Sequence, residues 1–121
     1  MPADFKQSAN LAGKILASGQ VAAASTDTTV YTVPALSAVK VATAVLCNNT
    51  GAAVTVSVSV VPSGGAVDAT RKVVASHVLP ANDSTKLTEI EGAMLDAGAL
   101  ISVNASTSAA VNYLFTGAVS S

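Results

Sequence analysis

Residues 54–60 read Val-Thr-Val-Ser-Val-Ser-Val, with valine and a small hydroxyl residue alternating at strict period two. That period belongs to a β-strand with one apolar face and one polar face. The same pattern, less regular, recurs along the chain and predicts eight short strands, over 14–22, 28–33, 39–47, 53–61, 73–79, 85–90, 99–105 and 111–119. Turn-forming clusters separate them: Pro34, Asn48-Asn49-Thr50-Gly51, Pro62-Ser63-Gly64-Gly65, Pro80-Ala81-Asn82-Asp83, Leu95-Asp96-Ala97-Gly98 and Ser106-Thr107-Ser108. The spacing of Val73, Val74, Val78 and Leu79 fits a strand or a helical turn, and the strand is preferred. No window carries a helical stripe.

Short strands at roughly ten-residue spacing predict an all-β fold, an antiparallel eight-stranded β-sandwich. A jelly roll and an immunoglobulin-like Greek key fit the pattern equally. Residues 1–12 are polar and irregular apart from Phe5 and Leu11, and read as an extended N-terminal arm; residues 13–121 form a single β-sandwich domain. Asn49-Thr50-Gly51-Ala52-Ala53-Val54 is echoed by Ser106-Thr107-Ser108-Ala109-Ala110-Val111, which reads as two hairpins meeting the same turn requirement.

Composition narrows the function. Charged residues are 11% of the chain and aromatics 3%, against about 25% charged in an average domain. The surface is therefore built from Ser, Thr, Asn and Ala, a composition that favours association over a free monomer. The net charge of −1, with scattered Lys and Arg, provides no basic field, so no nucleic-acid partner is expected. No run of 18 apolar residues predicts a membrane span, and the N-terminus lacks the layout of a secretory signal. Cys47 is the only cysteine and continues the series Val39, Val41, Thr43, Val45, which predicts a buried, inert thiol.

The residues that chemistry requires are sparse. The one histidine, His77, beside Ser76, reads as a rim or sheet-face residue, and no G-x-S-x-G elbow is present. Glu89 and Glu91 share a face if the sixth strand persists, with Asp96 nearby, but two carboxylates at a strand end are ordinarily solvated. Gly64-Gly65 lacks the Lys-Ser/Thr of a phosphate-binding loop. No enzyme activity, cofactor or metal is expected.

The runs Thr29-Val30-Tyr31-Thr32-Val33-Pro34-Ala35, Val45-Leu46-Cys47-Asn48-Asn49-Thr50-Gly51 and Val58-Ser59-Val60-Val61-Pro62-Ser63-Gly64-Gly65, with Leu79-Pro80-Ala81-Asn82-Asp83-Ser84, resemble a family of small β-sandwich structural proteins of tailed bacteriophage virions. The resemblance spans residues 28–119. It departs at Leu36-Ser37, where that family often has a Gly-Lys turn. It implies no enzymatic residues. It implies a virion location, after assembly in the bacterial cytoplasm, as a capsid decoration protein or as a neck, collar or tail component. The expected partners are copies of the chain itself, with a trimer among the arrangements, and the major capsid or tail proteins. Expected assembly contacts are Phe5, Leu11, Thr55, Ser57 and Ser59.

Two other classes fit the composition less well. A carbohydrate- or receptor-binding module would use Tyr31, Asn48, Asn49, Asp83 and Asn104, but aromatics for sugar stacking are few. A strand-exchanging pilus or surface-layer subunit would call for a secretory signal.

Overall fold

A computed structural model describes residues 12–67 and 69–120. The expected arm, with Phe5 and Leu11, lies outside the described residues. Nine strands follow: β1 (Ala12–Val21), β2 (Thr28–Thr32), β3 (Ala38–Asn48), β4 (Val54–Val61), β5 (Lys72–Leu79), β6 (Ser84–Lys86), β7 (Met94–Leu95), β8 (Leu100–Ala105) and β9 (Val111–Ser120), with one 3₁₀ turn at Ala69–Arg71 before β5.

The strands form two antiparallel sheets. The first has the order β1-β9-β3-β6, with β7 also pairing β3; the second has the order β2-β8-β4-β5. Every connection except β4–β5 and β6–β7 crosses from one sheet to the other. Val39, Leu46 and Phe115 of the first sheet and Val56, Leu79 and Ile101 of the second enter one buried cluster. The arrangement is that of a β-sandwich, the valines of the repeating pattern turned inward from both sides.

Two expectations are corrected. The sixth predicted strand ends early, at Lys86. Leu87 and Ile90 are both buried, but they are three residues apart. A helical turn closed by the Ile90 and Glu91 amides on the Leu87 carbonyl, at 3.1 and 3.2 Å, brings them to the same side. The short β7 then returns to β3 where the sequence suggests only a loop. β6 and β7 thus occupy one edge in two pieces, which is why nine strands are found where eight are expected.

The second correction lies in β3. Val41 pairs Gly117 and Thr43 pairs Thr116, leaving Ala42 as an extra residue. This bulge inverts the phase of the strand. Val39 and Val41 face the core before it; Ala44, Leu46 and Asn48 face the core after it. Thr43, Val45 and Cys47 are therefore turned to the outer face, and Cys47 is half-buried rather than a core thiol.

Candidate functional site

Residues directly opposite each other in an antiparallel ladder project to the same face. On the outer face of the first sheet the ladders assemble four rows: Gly13-Ala118-Lys40-Met94, Ile15-Thr116-Thr43, Ser18-Leu114-Val45-Lys86 and Gln20-Asn112-Cys47-Ser84. Three large apolar side chains stand out on this face: Met94 at 63% exposure, Ile15 at 60% and Leu114 at 38%. Between them lie short hydroxyl and aliphatic groups, with the Thr43 and Thr116 hydroxyls bonded to each other. The charges on these rows are Lys40 and Lys86, and Lys86 reaches Glu91 at 3.9 Å. The result is a broad, weakly charged, partly apolar plane.

Of the expected assembly contacts, Thr55, Ser57 and Ser59 sit on β4, a central strand of the second sheet. Thr55 and Ser57 are half-buried, and the Ser57 hydroxyl accepts the Ser76 amide at 2.9 Å. Ser59 is 3% exposed. The connection between β4 and β5 folds back here. Its 3₁₀ turn packs on β4, and a Cβ on Gly65 would press on Val61 and lie 3.6 Å from the Arg71 guanidinium. The chain's own loop thus borders the end of the hydroxyl stripe.

The polar loop residues gather at the end of the sandwich where β3 and β8 finish, but mostly bond to one another. Asn48 is fully buried. Its amide donates to the carbonyls of Ala52, Leu79 and Pro80 at 2.8, 3.1 and 3.1 Å. Its side-chain oxygen accepts from the amide and hydroxyl of Thr50, at 3.0 and 2.7 Å. That side chain ties two turns together and has no group left for a ligand. Asn104 donates to Asp27 at 3.0 Å, while Asn49 and Gln20 both donate to Asn112, at 3.3 and 3.1 Å. Tyr31 lies away from them, its strand pairing with the start of β8; burial raises its phenol pKa above the ordinary 10.0.

At the opposite end a groove of about 370 Å³ opens between the end of β4 and β7. Val60, Val61, Pro62, Leu95 and Ala99 line it, with Ser63, Met94 and Asp96. Among the described residues, no three His, Cys, Asp or Glu side chains gather as metal ligands would. Glu89 and Glu91 do not share a strand face, because the strand has already ended; Glu91 instead accepts the Ala44 amide at 3.2 Å. His77 is exposed on β5. No helix among the described residues is long and apolar enough to cross a membrane.

One signal for the outer face is legible in the chain. Leu114 falls in the polar phase of β9, among Asn112, Thr116 and Ser120. Ile15 and Met94 give no such signal, since a register shift near Leu16 and the unforeseen β7 place them. Comparisons with protein-family models, curated proteins and solved structures found no match for this chain.

Proposed function

We propose that this chain is a structural component of a tailed-bacteriophage virion, and within the particle a capsid decoration protein that acts by multi-copy protein–protein contact. The observation that carries the reading is the outer face of the first sheet. Ile15, Leu114 and Met94 stand on a weakly charged plane of Thr, Ser and Ala, the kind of surface that is stable when covered by another protein. A standard interface buries roughly 800 Å² per partner, within the scale of one sheet face on a domain of this size.

The fold supports the same reading at finer detail. With β6 and β7 taken as one interrupted edge, the orders β1-β9-β3-β6 and β2-β8-β4-β5, with nearly every connection crossing between sheets, favour the jelly roll over the immunoglobulin-like alternative. Jelly rolls recur in capsid proteins, a fold-level analogy that adds weight only beside the motifs. The residues that carry the resemblance sit at architectural points: Pro34-Ala35 in the turn after β2, Asn48 at the junction of two turns, and Pro62-Ser63-Gly64-Gly65 in the turn after β4.

The test is to separate purified particles into heads and tails and to search each for this chain by mass spectrometry. Recovery with heads in many copies is expected. Recovery with tails alone would move the protein to the neck, collar or tail and end the decoration assignment. Absence from particles, together with selective binding on a glycan array, would replace the structural role with the carbohydrate-binding one.

A further inference from the structure

We infer that the groove beside β7 receives Leu36 from a second copy of this chain, and that two copies pair reciprocally, each Leu36 seated in the other's groove. The pairing rests on the proposed assembly role, because Met94 borders both the groove and the outer face of the first sheet. It names the partner at that border, which is the chain itself.

Leu36 is the knob. It is 93% exposed, the most exposed large apolar side chain among the described residues. Its backbone is held at a φ of 61°, a left-handed conformation that residues with a side chain rarely adopt. Pro34 stiffens the approach, and the Ser37 amide closes the turn on the Pro34 carbonyl at 3.3 Å. In the free chain this turn is unfavourable twice over, once in its backbone and once in a leucine left in water. Backbone strain of this kind is retained where a contact uses it.

The groove is the matching hole. Its floor is apolar: Val61 is fully buried, and Ala99 and Leu95 are nearly so. At about 370 Å³ it lies at the lower end of the size range of small-ligand pockets, room for one aliphatic side chain and the turn that carries it. Leu36 does not fill the groove of its own chain, since nearly all of its surface is open to solvent. Asp96 is the one charged residue of the groove and residues 33–38 carry none, so no like charges meet.

Knob and hole stand side by side. The Val33 amide donates to the Ala99 carbonyl at 2.8 Å, and the Gly98 amide to the Val33 carbonyl at 3.0 Å. Leu36 follows Val33 by three residues, at most about 10 Å of chain. Both features therefore occupy one end of the sandwich. A projection beside its own complement is satisfied by a two-fold axis, which makes the same contact twice and closes the pair.

Sedimentation velocity over a dilution series of the full chain is expected to show a monomer–dimer equilibrium. Leu36→Gly removes the knob and relieves the backbone, so the fold is kept while the association constant falls about a hundredfold, the loss for one buried leucine at each of two sites. Methyl labelling of methionine locates the contact. An equal mixture of labelled and unlabelled chains is expected to give an intermolecular NOE at the Met94 methyl, lost when the unlabelled chain is Leu36→Gly. A chain that stays monomeric at every concentration overturns the pairing. So does a dimer that Leu36→Gly leaves unchanged, or a Met94 contact that persists against the variant. Incorporation into particles is read separately: dimers absent from particles would remove the virion role and leave the Leu36 contact standing, while monomers recovered from particles would do the reverse.

Discussion

Leu36 is 93% exposed and its backbone has a φ of 61°, in the left-handed region. It follows Ala35 in a turn closed by the Ser37 amide on the Pro34 carbonyl at 3.3 Å. A positive φ at this place in a turn selects glycine. Relief of left-handed strain is worth about 1–2 kcal/mol, offset by the roughly 0.5–1 kcal/mol that glycine costs in chain entropy. Leu36→Gly is accordingly expected to stabilise the protein by about 0.5–1 kcal/mol, a rise in Tm of about 2–4 °C by calorimetry. Asn48 is the opposite case. Replacing it with Ala strands the buried carbonyls that its amide satisfies, at Leu79 above all, and is expected to cost about 3 kcal/mol in a urea titration. The exposed Asn49, one residue on, is the control: Asn49→Ala is expected to change stability by less than about 0.5 kcal/mol, and equal losses at both positions would refute the role given to Asn48.

At the scale of elements, the weak point is β1, a ten-residue strand that stands at the edge of the first sheet among the described residues. An edge of this length is a template for pairing with another chain. Two features oppose that. The register shifts between Ile15 and Ala17, which bends the strand. Lys14, the only charged residue in β1, lies opposite Gly117, where no side chain competes for space. Gly117 is itself constrained, because a Cβ there would collide with the Lys40 carbonyl. Lys14→Val removes the edge charge while leaving the pairing intact. It is expected to convert the protein to slow, concentration-dependent association, seen by light scattering, with an unchanged circular dichroism spectrum. Association no faster than wild type would show that the bend alone protects the edge.

For the whole molecule, function is proposed to rest on the outer face of the first sheet, and the decisive substitution is Leu114→Lys. Leu114 is 38% exposed and is flanked on its row by Ser18 and Val45. A lysine there keeps its stem on the sheet and places its charge in solvent, so the Tm is expected to move by no more than a few degrees. Incorporation into particles is expected to fall at least tenfold, measured by quantitative mass spectrometry of virions. Normal incorporation would mean that the contacts lie on another surface. The phenol of Tyr31 adds a property of the folded state as a whole. Burial raises its pKa above 10.0, so the unfolded chain ionises first as pH rises. Stability from this group is complete below pH 10 and declines as pH climbs through the folded pKa. Tyr31→Phe is expected to flatten that alkaline decline in unfolding measured between neutral pH and strong base.

What the sequence by itself determined is the alternation of valine with Ser and Thr in β4 and of Val111, Phe115 and Gly117 in β9. Period two has only one structural solution when half the positions are apolar. The turn residues that bound these runs also determined where the chain reverses. Three things were decided only in the tertiary structure. The extra residue at Ala42 inverts β3, because register is fixed by the partner strand and a single insertion moves every later side chain to the other face. Leu87 and Ile90 are drawn into a helical turn because both must reach the same core. Ser59, polar and on the outward phase of the most regular strand, is 3% exposed beside a returning loop. In each case the strand pattern specifies which positions alternate. Which side is covered, and by what, depends on neighbours distant in the chain.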